Sequence, residues 1–229
     1  MQANTTNGPI LTATEVSRVF GSGDTAVTAL SSISLTVEQG DFLAVTGRSG
    51  SGKTTLLNLL SGLDRPSTGT VQFYGDDLAG LREADLVEMR RRRIGFVFQS
   101  FGLMPLLSAQ ENVELPLHIA GLSWRERRQR ATDALHAVGL STRARHRPFE
   151  LSGGEQQRVS IARALVTQPE AVFADEPTGE LDTATARSIA ETLGEVAASR
   201  RATVIVATHD LDLAATAQRR LDLVDGHSV

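Results

Sequence analysis

GRSGSGKT, spanning Gly47 to Thr54, admits few structural settings. It fits the pattern G-x-x-x-x-G-K-[ST] of a phosphate-binding loop, and its flanks have the form that such a loop needs. Ahead of it, FLAVTG (Phe42 to Gly47) is a continuous apolar run suited to a strand buried on both faces, and after it KTTLLNLLSGL reads as a helix. Gly50 and Gly52 let backbone N–H groups turn toward a polyphosphate, the helix N-terminus adds roughly half a positive charge, and Lys53 supplies a full one. Thr54 is placed to ligate Mg²⁺. A chance match in a chain of this length is on the order of 1% before the strand and helix are counted.

Around this unit the pattern alternates between strands and helices. Leu11 to Phe20 and Ile33 to Val37 predict two peripheral antiparallel strands around the turn GSGD. Further strands are expected at Gly69 to Phe73, Ile94 to Phe98, Ala171 to Ala174, Thr203 to Ala207 and Leu221 to Val224. From about residue 100 to 166, most clearly from Ala109, the pattern is helical, and Trp124 to Val138 is amphipathic with Arg and Gln on its polar face. The expected fold is α/β: a P-loop NTPase with a mainly parallel core sheet, a peripheral antiparallel β subdomain and an inserted α-helical subdomain. Its ligand belongs at the carboxyl ends of the strands. A length of 229 residues suits one domain, with residues 1 to 10 read as a flexible tail and Arg90 to Arg93 as a solvated helix end.

Composition removes several function classes. A net charge of -4 argues against a protein that neutralises phosphates along nucleic acid, so no nucleic-acid partner is expected. Without Cys there is no disulfide, thiolate zinc site or cysteine nucleophile, and the five His lack metal-ligand spacing. The first residues have no basic n-region followed by an apolar run, and no stretch approaches the roughly 20 apolar residues that cross a bilayer. The expectation is a cytoplasmic protein that reaches a membrane only through a partner.

Two further segments bear on chemistry. AVFADE (Ala171 to Glu176) is an apolar strand ending in two acids, the form of a Walker B segment. It places Asp175 near the Mg²⁺ and makes Glu176 the candidate general base, since successive residues at a strand end address different directions. LSGGEQQR (Leu151 to Arg158) sets Ser and two glycines before a helical run, a second anion-binding helix N-terminus where one triphosphate needs only one.

LSGGEQQR resembles the signature motif of ABC nucleotide-binding domains, and DEPTGELD (Asp175 to Asp182), Gln99 and ATHD (Ala207 to Asp210) complete that family's ordered set. From about Leu11 onward the chain is most similar to the lipoprotein-releasing and macrolide-exporting type, as in TLLNLLSGLDRPSTG, RRRIGFVFQSFGLMP and LSAQENVELPL. The resemblance implies an ATPase with ATP and Mg²⁺ as ligands. ATP would be held by Gly47, Arg48, Ser49, Gly50, Ser51, Gly52, Lys53, Thr54 and Thr55, with Phe20 stacked on adenine and Thr54, Gln99 and Asp175 at the metal. Catalysis would fall to Glu176, His209, Gln99 and Lys53.

Ser152, Gly153, Gly154 and Glu155 would bind the ATP held by a second copy in a head-to-tail homodimer, and Asp182 would lie in the loop crossing that interface. The other implied partner is a membrane permease with few helices and a large extracytoplasmic domain, for export or for work on the envelope. Phe20 stands where the family more often has Tyr, Glu155 where it more often has Gln, and Glu180 where this type usually has Asn. Chromosome-type relatives carry a coiled-coil insertion and ribosome-type relatives two cassettes, neither of which is present, and a P-loop kinase or GTPase would leave LSGGE unexplained.

Overall fold

The computed structural model describes residues 8–199 and 202–229. In chain order its elements are β1 (Leu11–Phe20), β2 (Val27–Val37), β3 (Phe42–Thr46), α1 (Lys53–Leu60), β4 (Thr68–Phe73), β5 (Asp76–Asp77), α2 (Glu83–Arg93), β6 (Ile94–Val97) and α3 (Ala109–Ile119). Then come α4 (Trp124–Ala137), α5 (Gly153–Leu165), β7 (Ala171–Asp175), α6 (Thr183–Ala198), β8 (Thr203–Thr208), α7 (Leu211–Thr216), β9 (Arg219–Val224) and β10 (His227–Ser228). The strands form two sheets, an antiparallel one in the order β2-β1-β4-β5 and a core sheet in the order β10-β9-β3-β8-β7-β6. The core strands are parallel except where β10 folds back on β9.

The apolar run of β3 has a direct cause. All five residues are buried, and the four apolar ones alternate between two cores. Leu43 and Val45 pack with α1, α2 and the antiparallel sheet, while Phe42 and Ala44 pack with Ile161, Ile189, Leu193 and Leu213 of α5, α6 and α7. A strand covered on both faces cannot show polar alternation. Helices α3 and α4 close a third core against the other side of α5, through Val113, Leu117, Leu135 and Val159. Helix α5 is thus the wall shared by the α/β core and the helical lobe.

Two expectations need correction. Residues 1–7 of the expected tail lie outside the described residues, but Ile10 is fully buried, donates from its N–H to Val37 O and accepts from Tyr74 N–H. The tail reading therefore fails at Ile10. Arg90 to Arg93 also form more than a solvated helix end: Arg90 reaches Gly62 O and Glu83, Arg91 reaches Ile119 O, and Arg93 forms a two-pronged pair with Glu170. Only Arg92, paired with Glu88 on the helix surface, keeps a mostly exposed side chain. Among the described residues no helix is long and apolar enough to cross a membrane.

Candidate functional site

Three neighbouring strands deliver the site. In the register of the core sheet Thr46 lies beside Thr208 and Asp175 beside Ala207, so the loops leaving β3, β7 and β8 emerge together at one sheet edge. They enclose a cleft of about 570 Å³ lined by Ala29, Arg48, Ser49, Gly50, Gly52, Lys53, Thr54, Thr55, Gln99, Glu176 and His209. Ser51 is buried at the base of the loop and Gly47 half-buried beside it. Gly52 has φ +102, and a Cβ there would stand 2.5 Å from Ala29 O, so backbone strain and β2 both exclude a side chain. As N-cap of α1 it offers no side-chain cap, which leaves the first turn's N–H groups to an anion.

Charge inside the cleft is tightly paired. Lys53, 6% exposed, donates to Gly47 O at 2.9 Å and Arg48 O at 3.2 Å and lies 3.3 Å from Glu176 Oε1. The other carboxylate oxygen of Glu176 accepts from the His209 backbone N–H at 3.2 Å and lies 2.8 Å from His209 Nδ1. Glu176 itself has φ 44, a left-handed conformation unusual for a residue with a Cβ and a mark of functional strain. Its neighbour Asp175 accepts from the Thr54 hydroxyl at 3.1 Å. Burial pushes the Asp175 carboxyl up, against the Thr54 hydrogen bond.

The donor set at this end fits magnesium. Among the described residues no group of three or more His, Cys, Asp or Glu side chains could hold a metal alone. A hydroxyl and one carboxylate, completed by water and phosphate oxygens, is the arrangement Mg²⁺ takes in phosphate sites. Volume alone does not locate this chemistry. A larger groove of about 770 Å³ between α4, α5 and the end of α6 is mostly apolar, and the acid in its lining, Asp133, already accepts from Gln129.

The profile of the ABC transporter family matches residues 30–179, from the strand that contacts the phosphate loop to the turn after Glu176. The chain belongs to the ABC transporter family. It is similar to the macrolide export ATP-binding/permease proteins MacB of Hyphomonas neptunium, 47% identical over 95% of this chain, and of Burkholderia pseudomallei, 46% identical over 97%. The chain spans about a third of the length of those curated relatives, 34% in both cases. Among solved structures it resembles a dimeric post-hydrolysis state of the ATP-binding cassette MJ0796 bound to ADP and Pi, with a TM-score of 0.88 and 40% identity over 95% of this chain and 96% of that one. It also resembles cbiO1 from Clostridium perfringens, part of the ABC transporter complex cbiONQ, with a TM-score of 0.87 and 28% identity over 97% and 88%.

Not every expected site residue of this ABC chain meets in the cleft. Phe20 is 43% exposed at the end of β1, outside the lining, with the Arg18 guanidinium 4.4 Å from its ring centroid. Ser152, Gly153, Gly154 and Glu155 are also outside it. Ser152 and Glu155 form a reciprocal capping box at the start of α5, and a Cβ added at Gly153 would meet Leu181 and Phe101. Gly154 is close-packed on α6, where a Cβ would stand 2.3 Å from Thr185 Cγ2. The N-terminus of α5 thus lies outside this chain's own cleft.

Residues that the sequence reading passed over hold the cleft loops in place. Asn112 is fully buried in α3, where its amide clamps the Met104 backbone and reaches Leu107 O and Ser108 O. Arg163 of α5 donates to Phe101 O and Gly102 O, just after Gln99. The signal for Asn112 was a polar residue in register with apolar Ala109, Val113 and Leu117; Arg163 gave none, because one Arg in a helix is indistinguishable from a surface residue.

Proposed function

We propose that this chain binds ATP with Mg²⁺ in the cleft, pairs head to tail with a second copy around two nucleotides, hydrolyses them, and drives a membrane permease. The observation that carries the reading is the separation of two anion-ready helix N-termini on one chain. One opens into the cleft beside Lys53; the other, at Ser152–Gly154, lies outside it, where it could meet only a nucleotide held by another copy.

The residues divide the work by charge and reach. The loop from Gly47 to Thr55 would cradle the phosphates, with Lys53 exchanging its contact to Glu176 for the terminal phosphate. Thr54, Gln99 and Asp175 would hold Mg²⁺, which neutralises charge on the phosphate oxygens when bound. Glu176, freed from Lys53, would orient the attacking water, and His209, already on its carboxylate, would face the leaving phosphate. Phe20 would stack on the adenine that projects from the phosphate loop. Closing a dimer from 1% to 99% needs about 5.5 kcal/mol, which a few charge-assisted hydrogen bonds per nucleotide supply.

A surface suited to the permease adjoins Gln99. Leu63, Phe98, Met104 and Ile119, each more than two-fifths exposed, border a groove of about 450 Å³ between core and helical lobe, beside Arg90, Arg91 and Arg163. Docking there would put the chain at the inner face of the membrane, within reach of the loop carrying Gln99. The similarity to macrolide export proteins supports export or envelope work as the coupled process.

The test is the Glu176→Gln variant with ATP and Mg²⁺, followed by light scattering and phosphate release. Hydrolysis is expected to fall about 10²- to 10⁴-fold while an ATP-bound dimer accumulates. A variant that hydrolyses at the parent rate, or that stays monomeric with ATP, would remove the reading.

A further inference from the structure

Gln157 is fully buried one turn into α5, yet its two polar atoms are treated unequally. Its Nε2 donates to Pro177 O at 2.7 Å, tying α5 directly to the segment following Glu176, while Oε1 has no partner among the described residues. Burying an amide with one end unsatisfied costs free energy, because the oxygen loses its water and gains no partner. An apolar side chain of the same volume would avoid that cost, so the donor end is the part that the fold retains Gln157 for.

Pro177 is the residue after Glu176. Having no N–H, it gives the chain only its carbonyl to be held by, and Gln157 takes that carbonyl. The next residue, Thr178, is 5% exposed and donates from its hydroxyl to Asp210 Oδ2 at 3.0 Å. On its other side Glu176 N–H donates to Ala207 O at 2.8 Å. The left-handed backbone of Glu176 is thus pinned from β8, from the His209–Asp210 turn and from α5, and only the last pin comes from the helix whose N-terminus carries Ser152, Gly153 and Gly154.

We propose that Gln157 is a positioning residue that ties the Ser-Gly-Gly turn of α5 to the carboxylate of Glu176 in the same chain. In the dimer described above, on which this inference rests, that turn contacts the nucleotide of the other subunit. A small shift of α5 on a partner's ATP is passed through one side-chain amide to the base that acts on the chain's own ATP. Each site then reports its occupancy to the other without any shared ligand.

Gln157→Leu keeps roughly the volume and Gln157→Met keeps the length, and each removes both polar atoms. For each, kcat is expected to fall about 10- to 100-fold, the loss that follows a displacement near 1 Å at a reacting group. KM for ATP should stay within about twofold, because the phosphate loop is untouched. In a Glu176→Gln background both changes should leave the ATP-dependent dimer intact, since the Ser-Gly-Gly turn is unaltered. Parent kcat in either folded variant overturns the inference, as does an equal loss of nucleotide binding and turnover in both, which marks a purely structural role. If Gln157→Met does not fold, Gln157→Leu and the Thr178→Val change, which loosens the same segment from Asp210, decide the matter by the same kcat-against-KM split. Failure of Glu176→Gln alone to dimerise with ATP would instead fall on the proposed function, so the two failures are distinguishable.

Discussion

Lys53 Nζ and Glu176 Oε1 stand 3.3 Å apart, with 7% and 13% of their side chains exposed, so the cation expected to bind phosphate and the acid expected to direct water neutralise each other. Removing one partner from such a contact leaves the other buried and uncompensated. Lys53→Met is therefore expected to lower the ligand-free Tm, and adding Glu176→Gln should recover part of the loss, with a coupling of about 0.5–3 kcal/mol between the two sites. Urea unfolding of the two single variants, the double variant and the parent measures this. Additive effects would show that the contact does not contribute to stability.

Asp175 gives a prediction of the opposite sign. Burial raises its carboxyl pKa, so in the metal-free chain its contribution to stability is greatest below the ordinary carboxylate range and is lost as pH rises through the raised value. Burial of the charged carboxylate is a cost that the Thr54 hydroxyl offsets only in part, and a bound cation would offset more. Asp175→Asn should raise the metal-free Tm by roughly 2–4 °C, the shift that about 1 kcal/mol produces in a chain of this size. The same change should abolish the Mg²⁺ dependence of nucleotide binding. A lower Tm in the absence of metal would contradict this account.

The sequence carried the strands and the cleft further than it carried their supports. β3, β7 and β8 could be placed because strands covered on both faces show unbroken apolar runs, and the loops at their ends carry residue types with few alternative uses. The supports were less legible: Asn112 shows only its place on the apolar face of α3, and Gln157 and Arg163 lie in a helix where local pattern does not separate a surface amide or guanidinium from a buried one. Arg93 was misread for the same reason: a basic residue in a last helical turn complements the helix dipole, and only tertiary structure brings Glu170 to it.

Arg163 is the support with the clearest expected signature. Burial pushes its guanidinium pKa down, and the group spends its donors on Phe101 O at 3.0 Å and Gly102 O at 2.5 Å, both residues having positive φ. Arg163→Met should speed hydrogen exchange at Ser100 to Leu103 at least about tenfold while leaving the amides of the phosphate loop unchanged. Arg163→Lys should restore only part of the protection, because a single ammonium lacks the planar fork that spans two carbonyls. Equal protection in all three proteins would mean that Asn112 alone holds the loop.

The Arg93 cluster predicts how stability changes at both ends of the pH scale. Its guanidinium lies 4.6 Å from the Phe73 ring centroid and 4.7 Å from that of Tyr74, and it grips Glu170 with Nε at 2.7 Å and Nη2 at 3.0 Å. Burial pushes the Glu170 carboxyl up, but the hydrogen bonds from Arg93 and Tyr74 and the guanidinium charge outweigh it and hold the carboxyl below its ordinary range. For a depressed carboxylate the stabilising contribution is present above the ordinary value, near 4.3, and is lost as pH falls through the folded one. Tyr74 is the reverse case: burial, then the hydrogen bond and charge of Glu170, raise it to about 12, so its contribution is present below pH 10 and is lost between there and about 12. Glu170→Gln should flatten the acid limb of a plot of unfolding free energy against pH, and Tyr74→Phe the alkaline limb, each leaving the opposite limb in place. Curves that run parallel to the parent at both ends would show that the pH dependence arises elsewhere in the molecule.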